Sequence, residues 1–349
     1  RLCFLLFSRL THCKSNRNVS TIGLDLCVYC INFSAMRFAF IASILGISAF
    51  ALTTCSNDKV QLNTYKTEHV FVLVMDGPRY SETWGDPSHT NIPRMDTIMS
   101  SLGIINTAFY NNGETNTTAG HTALSTGHYQ SINNSGGEYP IFPSIFQLYR
   151  KVKGCNSSLV WLVTSKDKLE VLSNTKDISW KDKFLPSTNC GISGLGSGYR
   201  HDSITFPILM NVLTTHHPKL LYVNFREPDF SGHAGDWAAY LNGIKTIDEY
   251  IYQVWAFIQS DPIYKNKTTL FVTNDHGRHL EGIANGFVSH GDGCDGCRHL
   301  NFYAFGPDFK SGIEINEPRE LIDIHATASE LLGLPKSAST GKVMTELFD

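Results

Sequence analysis

From residue 69 onward the apolar positions come in short continuous runs, with no strict alternation of apolar and polar. HVFVLVM (69–75), SLVWLVTS (158–165), KLLYVNF (219–225) and TLFVTN (269–274) each read as a strand buried on both faces. IINTAF (104–109) reads as a further strand and NFYAFG (301–306) as the last one. Between them lie amphipathic or small-residue stretches of helical length: 92–103, opened by a proline, then 117–127, 142–153, 203–217, 236–260 and 319–333. Apolar strands alternating with helices predict an α/β fold, with a mostly parallel central sheet and helices on both faces. GISGLGSG (191–198) does not sit between a strand and a helix, as a dinucleotide-binding turn requires, and is expected to be a loop.

The first 67 residues carry a different pattern. Residues 1–35 lack a methionine, hold four cysteines and show no sustained period, which suggests upstream or leader sequence. At Met36-Arg37 a short positive start leads into FAFIASILGISAFALTTC, the pattern of a signal peptide over 36–54. The apolar run is short against the about 20 residues that a bilayer span needs. Cys55 stands where a bacterial lipoprotein carries its lipid, although Thr54 departs from the usual small residue there. The expectation is export, to the periplasm or to a membrane through a lipid anchor at Cys55, with a short transmembrane anchor as the alternative. Residues 55–67 read as a linker and 68–349 as the catalytic domain, with a small cap over 165–203.

Composition adds little. The 349 residues are 42% hydrophobic and 17% charged, and the formal net charge of −3 offers no basic footprint for nucleic acid. Beyond Cys55 remain Cys155, Cys190, Cys294 and Cys297. In an exported chain they are expected to pair as Cys294–Cys297 and Cys155–Cys190. One C-x-x-C supplies only half of a tetrahedral zinc site, which weighs against a zinc ribbon.

The candidate chemistry lies where the strands end. HVFVLVM runs into Asp76, KLLYVNF into Glu227-Pro228-Asp229, and TLFVTN into Asp275-His276. A single Asp after a strand is usually a turn or cap residue. Three of them on the edge where open parallel sheets bind ligands, accompanied by His233, His276 and His290, are better read as ligands. Oxygen and imidazole donors suit two Zn²⁺ ions, with Mn²⁺ or another divalent metal as the alternative. Three carboxylates leave such a pair one negative charge short, so a hydroxyl touching it would ionise readily. Thr117 and Thr118 open the helix that follows, where a threonine also commonly serves as N-cap.

At this point the residues resemble a known family. VMDG, TTAGHTALSTG, EPDFSGH, NDHG, SHG followed by FGP, and DIHATASELLG occur in order across 69–340. The set is similar to the alkaline phosphatase superfamily, and within it to the type I phosphodiesterase/nucleotide pyrophosphatase branch. The resemblance implies that Asp76, Thr117, Asp275 and His276 surround one metal, and Asp229, His233 and His290 the other. It implies Thr117 as nucleophile, four residues before His121, with Ala119 where many members have proline. His299 is the rival of His290. No C/S-x-P-x-R motif occurs at this position, which disfavours a sulfatase. The resemblance also suggests Asn133 or Asn134 as a holder of a phosphoryl oxygen, and Lys166 and Lys168 as contacts to a second anionic group. The expected activity is hydrolysis of a small phosphorylated substrate, of phosphodiesterase type. The alternatives are a phosphomonoesterase or phosphonate hydrolase, or a non-catalytic surface lipoprotein that keeps the fold.

Overall fold

Alternate residues of the first strand feed two separate cores. Val70, Val72 and Val74 pack with Leu124, Phe146 and Leu331, whereas Phe71, Leu73 and Met75 pack with Leu209, Ile244 and Ile251. Side chains alternate across a strand, so a strand apolar at every position must be covered on both faces. Each such side chain removed from water contributes roughly 1.5–3 kcal/mol.

The computed structural model describes residues 65–349. Its strands are β1 (His69–Asp76), β2 (Ile104–Asn106), β3 (Phe109–Tyr110), β4 (Val160–Thr164), β5 (Ser187–Cys190) and β6 (Leu220–Pro228), followed by β7 (Thr268–Thr273), β8 (His299–Leu300), β9 (Phe302–Phe305), β10 (Ile313–Ile315) and β11 (Arg319–Glu320). The helices are α1 (Thr117–Thr126), α2 (Ile145–Lys153), α3 (Asp202–His216), α4 (Asp229–His233), α5 (Trp237–Ser260), α6 (Asp295–Arg298) and α7 (Leu321–Leu331). Eight strands form one sheet in the order β10-β2-β9-β7-β1-β6-β4-β5, and β11-β3-β8 form a small second sheet. Every pairing in the large sheet is parallel except those made by β9. The α/β expectation therefore holds. The expectations for residues 1–35 and 36–54, for the lipid acceptor Cys55 and for most of the linker fall outside the described residues.

Local departures have local causes. The segment 104–109 breaks into β2 and β3 because Asn106 accepts from Ala108 N at 2.9 Å, a turn that ends the ladder. The run at 301–306 is not the last strand, since β10 and β11 follow it. Instead of one helix over 92–103 there is a wide π turn at Met95–Met99 and a tight turn at Ser100–Leu102. Buried Asp248 of α5 accepts from Arg94 N at 2.7 Å and Met95 N at 2.9 Å, which fixes where that segment starts. Segment 165–203 returns β5 to the sheet edge beside β4. All four cysteines among the described residues are free, so neither expected pair is a disulfide. Buried Cys190 instead points its Sγ at Leu162 O, 3.9 Å away.

Candidate metal centre

Each of the three carboxylates is delivered by the end of a strand. Asp76 is the last residue of β1, Asp229 directly follows β6, and Asp275 lies two residues beyond β7. The lateral order β7-β1-β6 sets them side by side, since neighbouring strands lie about 4.8 Å apart. The register of β1 with β6 steps from Met75–Phe225 to Asp76–Pro228, so Arg226 and Glu227 bulge out. Asp202, at the start of α3, holds this bulge by accepting from Arg226 N at 2.9 Å and Glu227 N at 3.0 Å.

The imidazoles close on these carboxylates. His276 Nε2 lies 3.6 Å from Asp76 Oδ1, 3.4 Å from Asp275 Oδ2 and 3.4 Å from Thr117 Oγ1. His233 and His290 bring their Nε2 atoms within 3.0 Å of each other, and within 3.3 and 3.4 Å of Asp229 Oδ1. The rings of His276 and His290 stack at 3.7 Å, so the two groups adjoin. His299, the rival, is elsewhere: its Nε2 donates to Thr107 O at 2.9 Å and its ring stacks on Tyr80 and Tyr110.

These residues fit a pair of divalent ions on three counts. His276 Nδ1 bonds Gly277 O at 2.9 Å and His290 Nδ1 bonds Thr115 O at 2.8 Å. A carbonyl can only accept, so each Nδ1 carries the proton and each Nε2 turns a bare lone pair on the carboxylates. Burial and the neighbouring His276 push His290 down to about 2, which keeps it neutral. Fully buried Asp275 Oδ2 has no aligned hydrogen bond among the described residues; with His121 Nδ1 at 3.1 Å beside it, a cation would complete it.

A second layer, which sequence reasoning missed, braces these ligands. Buried Asn224 donates to Asp76 Oδ2 at 2.8 Å and to His121 Nε2 at 3.0 Å. His121 Nδ1 therefore donates to Thr117 O at 2.8 Å, and it lies 3.1 Å from Asp275 Oδ2. Arg278, fully buried, donates from Nη1 to Asp229 Oδ1 and from Nη2 to Val288 O at 2.8 Å. Nothing in one sequence marks Asn224 inside an apolar strand. Arg278 offered a weak signal, a charge two residues past His276.

Lys166 Nζ donates to Asp76 Oδ1 at 2.8 Å, Asp229 Oδ2 at 2.6 Å and Thr117 Oγ1 at 3.2 Å. Burial works against its charge, but Asp229, Asp76 and Asp275 outweigh that and hold its pKa above the usual lysine range. The same ammonium acts on the acids. Burial raises Asp229, yet Lys166, His276 and Arg278 keep it well below the carboxylate range. Burial and the charge of Asp275 leave Asp76 raised.

Thr117 and Thr118 are told apart by their partners. Asn116 is the N-cap of α1 and makes no side-chain capping bond, so Thr117 stands at the first helical position. The hydrogen-bond neighbours of the Thr117 hydroxyl are His276 and Lys166. The Thr118 hydroxyl donates to Asn134 Oδ1 at 3.0 Å. That oxygen also accepts from Thr118 N and Lys168 Nζ, each at 3.0 Å. Thr117, Asn134, Lys166, Lys168, Tyr199 and His290 are among the residues lining a cavity of about 560 Å³. Asn133 stays outside it, with Oδ1 accepting from Ser135 N at 2.7 Å in an exposed turn.

A family model described as the Metalloenzyme superfamily matches residues 68–336. Among curated proteins, a phosphopentomutase of Herpetosiphon aurantiacus is 26% identical over 129 residues, which is 37% of this chain and 29% of the relative. The chain thus spans less than a third of that relative's length. A phosphonate monoester hydrolase of Silicibacter pomeroyi superposes with a TM-score of 0.57 at 13% identity, over 80% of this chain and 76% of that one. Murine ectonucleotide pyrophosphatase/phosphodiesterase 5 superposes with a TM-score of 0.58 at 14% identity, over 80% of this chain and 100% of that one. An inactive threonine-to-alanine variant of the murine protein has been solved in complex with AMP. At these identities the likeness concerns the fold.

Proposed function

Because the chain belongs to the Metalloenzyme superfamily, whose alkaline phosphatase-like fold it shares, we propose that it is a two-metal, zinc-dependent phosphoester hydrolase. In this reading it is of phosphodiesterase/nucleotide pyrophosphatase type and Thr117 is its nucleophile. Membership implies dependence on divalent metal. Asp76, Asp275, His276 and Thr117 would hold one ion, and Asp229, His233 and His290 the other. When bound, such ions supply Lewis-acid charge to the oxygens around phosphorus.

The observation that carries the reading is the Thr117 hydroxyl, which is buried among His276 and Lys166 and is not spent on a cap. Lys166, 3.2 Å away, favours the alkoxide over the alcohol. Thr117 Oγ1, having given its proton to solvent, attacks phosphorus as the P–O bond to the leaving group breaks. The leaving oxygen takes a proton from solvent, and water later cleaves the phospho-threonine to the phosphate product and free Thr117. The helix start beneath Thr117 and the lysines stabilise the charge spread over the phosphoryl oxygens. Asn134 Oδ1 is fully engaged by Thr118 and Lys168, which leaves its NH₂ for a phosphoryl oxygen.

A second reading, a phosphomonoesterase or phosphonate hydrolase of the same fold, draws support from the two lysines at the cavity. A substrate with a further negative charge uses both, and a monoanionic diester needs fewer. Turnover of bis-p-nitrophenyl phosphate against p-nitrophenyl phosphate and phosphonoacetate by zinc-loaded protein separates the two.

The nucleophile is tested by Thr117→Ala, with Thr118→Ala as control. The first should keep its zinc and lose on the order of a thousandfold or more in turnover, about 4 kcal/mol of barrier. Thr117→Ser should retain measurable activity, and Thr118→Ala should lose far less than Thr117→Ala. Near-normal turnover by Thr117→Ala, with zinc content unchanged, would assign the chemistry to another group.

A further inference from the structure

A second convergence of ligand-type side chains lies outside the centre described above. His279, Asp292, Cys294 and Cys297 each offer one donor atom, and these four atoms all lie within 4.8 Å of one another. We infer that they form a separate, closed site for a zinc-like divalent ion, structural in role, on the loop that carries His290.

Donor set and geometry both point there. Two thiolates, an imidazole and a carboxylate complete a four-coordinate site of the kind zinc adopts. The C-x-x-C alone is half of it, and the fold supplies the other half. His279 is only 6% exposed. Its Nε2 lies 3.2 Å from Asp292 Oδ2 but makes no hydrogen bond. The close approach without hydrogen-bond alignment is the relation expected of two ligands to one ion, and a buried, unpartnered ring nitrogen is costly without such an ion.

The surroundings orient each donor as outer partners of a metal do. Ser289 Oγ lies 3.3 Å from His279 Nδ1, which leaves Nε2 to face the cluster. Asp292 Oδ1 is occupied by Cys294 N at 3.0 Å, which leaves Oδ2. Two backbone stretches have to touch for this to happen. Gly277 N donates to Cys297 O at 2.8 Å, and a Cβ at Gly277 would lie 2.0 Å from Gly296 O. Only glycine fits there, and that contact brings His279 over the C-x-x-C turn. The Asp292 side chain is 54% exposed, so an ion can enter from solvent.

Binding balances without redox chemistry. Two S–H groups release their protons, two S–metal bonds form, and the imidazole and carboxylate each give a lone pair. The consequence reaches the neighbouring centre, because Asp292 O accepts from Thr115 Oγ1 at 2.6 Å while Thr115 O holds His290 at 2.8 Å.

The test uses cobalt(II) and zinc on the full chain. Cobalt-loaded protein should show a near-ultraviolet thiolate-to-cobalt absorption band that Asp229→Asn leaves in place and Cys294→Ser/Cys297→Ser abolishes. The double serine variant should also bind one equivalent of zinc fewer. His279→Ala keeps both sulfurs and should weaken cobalt binding at this band tenfold or more. Should the serine variant fail to fold, alkylation of the wild-type chain decides. Zinc should protect both thiols from iodoacetamide, and a chelator should expose both. A Cys294–Cys297 disulfide in the intact mass, thiols equally reactive with and without zinc, or a band that survives the double substitution would overturn the site. Because Asp229→Asn disables only the strand-end centre, these outcomes do not depend on the proposed hydrolase activity.

Discussion

Lys168 shows how one side chain can carry a pH dependence. Burial, and then the neighbouring Lys166, push its ammonium down to about 8. Lysine is charged below its pKa, so the charge offered to substrate is complete at pH 7 and lost as pH rises through about 8. The KM for a doubly anionic substrate should therefore rise above pH 8 in the wild type. Lys168→Met should show the high KM at every pH, and Lys168→Arg, charged throughout, should flatten the profile. A wild-type profile identical to that of Lys168→Met would remove Lys168 from substrate binding. Much at this scale was legible in the sequence. Asp76, Asp229, Asp275 and His276 stand out because acid and imidazole just past apolar strands serve no packing purpose, whereas His233 and His290 are read from the ordered motifs DFSGH and SHG. Asn224 and Arg278 did not stand out, since their value lies in which ligand they touch, and contact is not written in spacing.

Helix α1 presents Thr117 only because it lies directly on the chain after β7. A Cβ on Gly120 would meet Asp275 O at 2.4 Å, and the backbone there cannot yield without moving Asp275 and His276. Gly120→Ala should therefore remove no ligand side chain and still displace Thr117 from its partners. A loss of turnover on the order of a hundredfold is expected from so small a misplacement. The measurement is turnover at saturating zinc, with circular dichroism to show that the variant is folded. Wild-type turnover would mean that α1 can shift without cost. The sequence marked this helix by its small residues, but not the reason for them, because close approach to another segment is a tertiary fact. In segment 92–103 the pattern is helical, yet Arg94 N and Met95 N donate to Asp248 of α5, a tertiary contact that spacing does not reveal.

Over the whole molecule, the strand-end centre is balanced by its own cations. Lys166 pairs with Asp76 and Asp229 and Arg278 with Asp229, so two cations against three buried carboxylates leave one net negative charge. Metal removal should consequently leave the wild-type chain folded. Lys166→Met should be destabilised by about 3–5 kcal/mol when metal-free, because the carboxylates lose their partner, and less when zinc is present. Thermal unfolding of both proteins with chelator and with zinc measures this. Equal melting of the two metal-free proteins would show that Lys166 is dispensable as a counter-charge.

The lateral strand order also governs when the centre can exist at all. β1 pairs with β6 on one side and β7 on the other, strands that begin 144 (220 − 76) and 192 (268 − 76) residues after Asp76. Asp76 is thus made early and waits, and the second and third carboxylates reach it only through long loop closures of the slow-folding kind. A nascent or truncated chain lacking β7 has the first ligand and no centre. The proposed centre can therefore assemble only after β7 has been made, however early Asp76 itself appears.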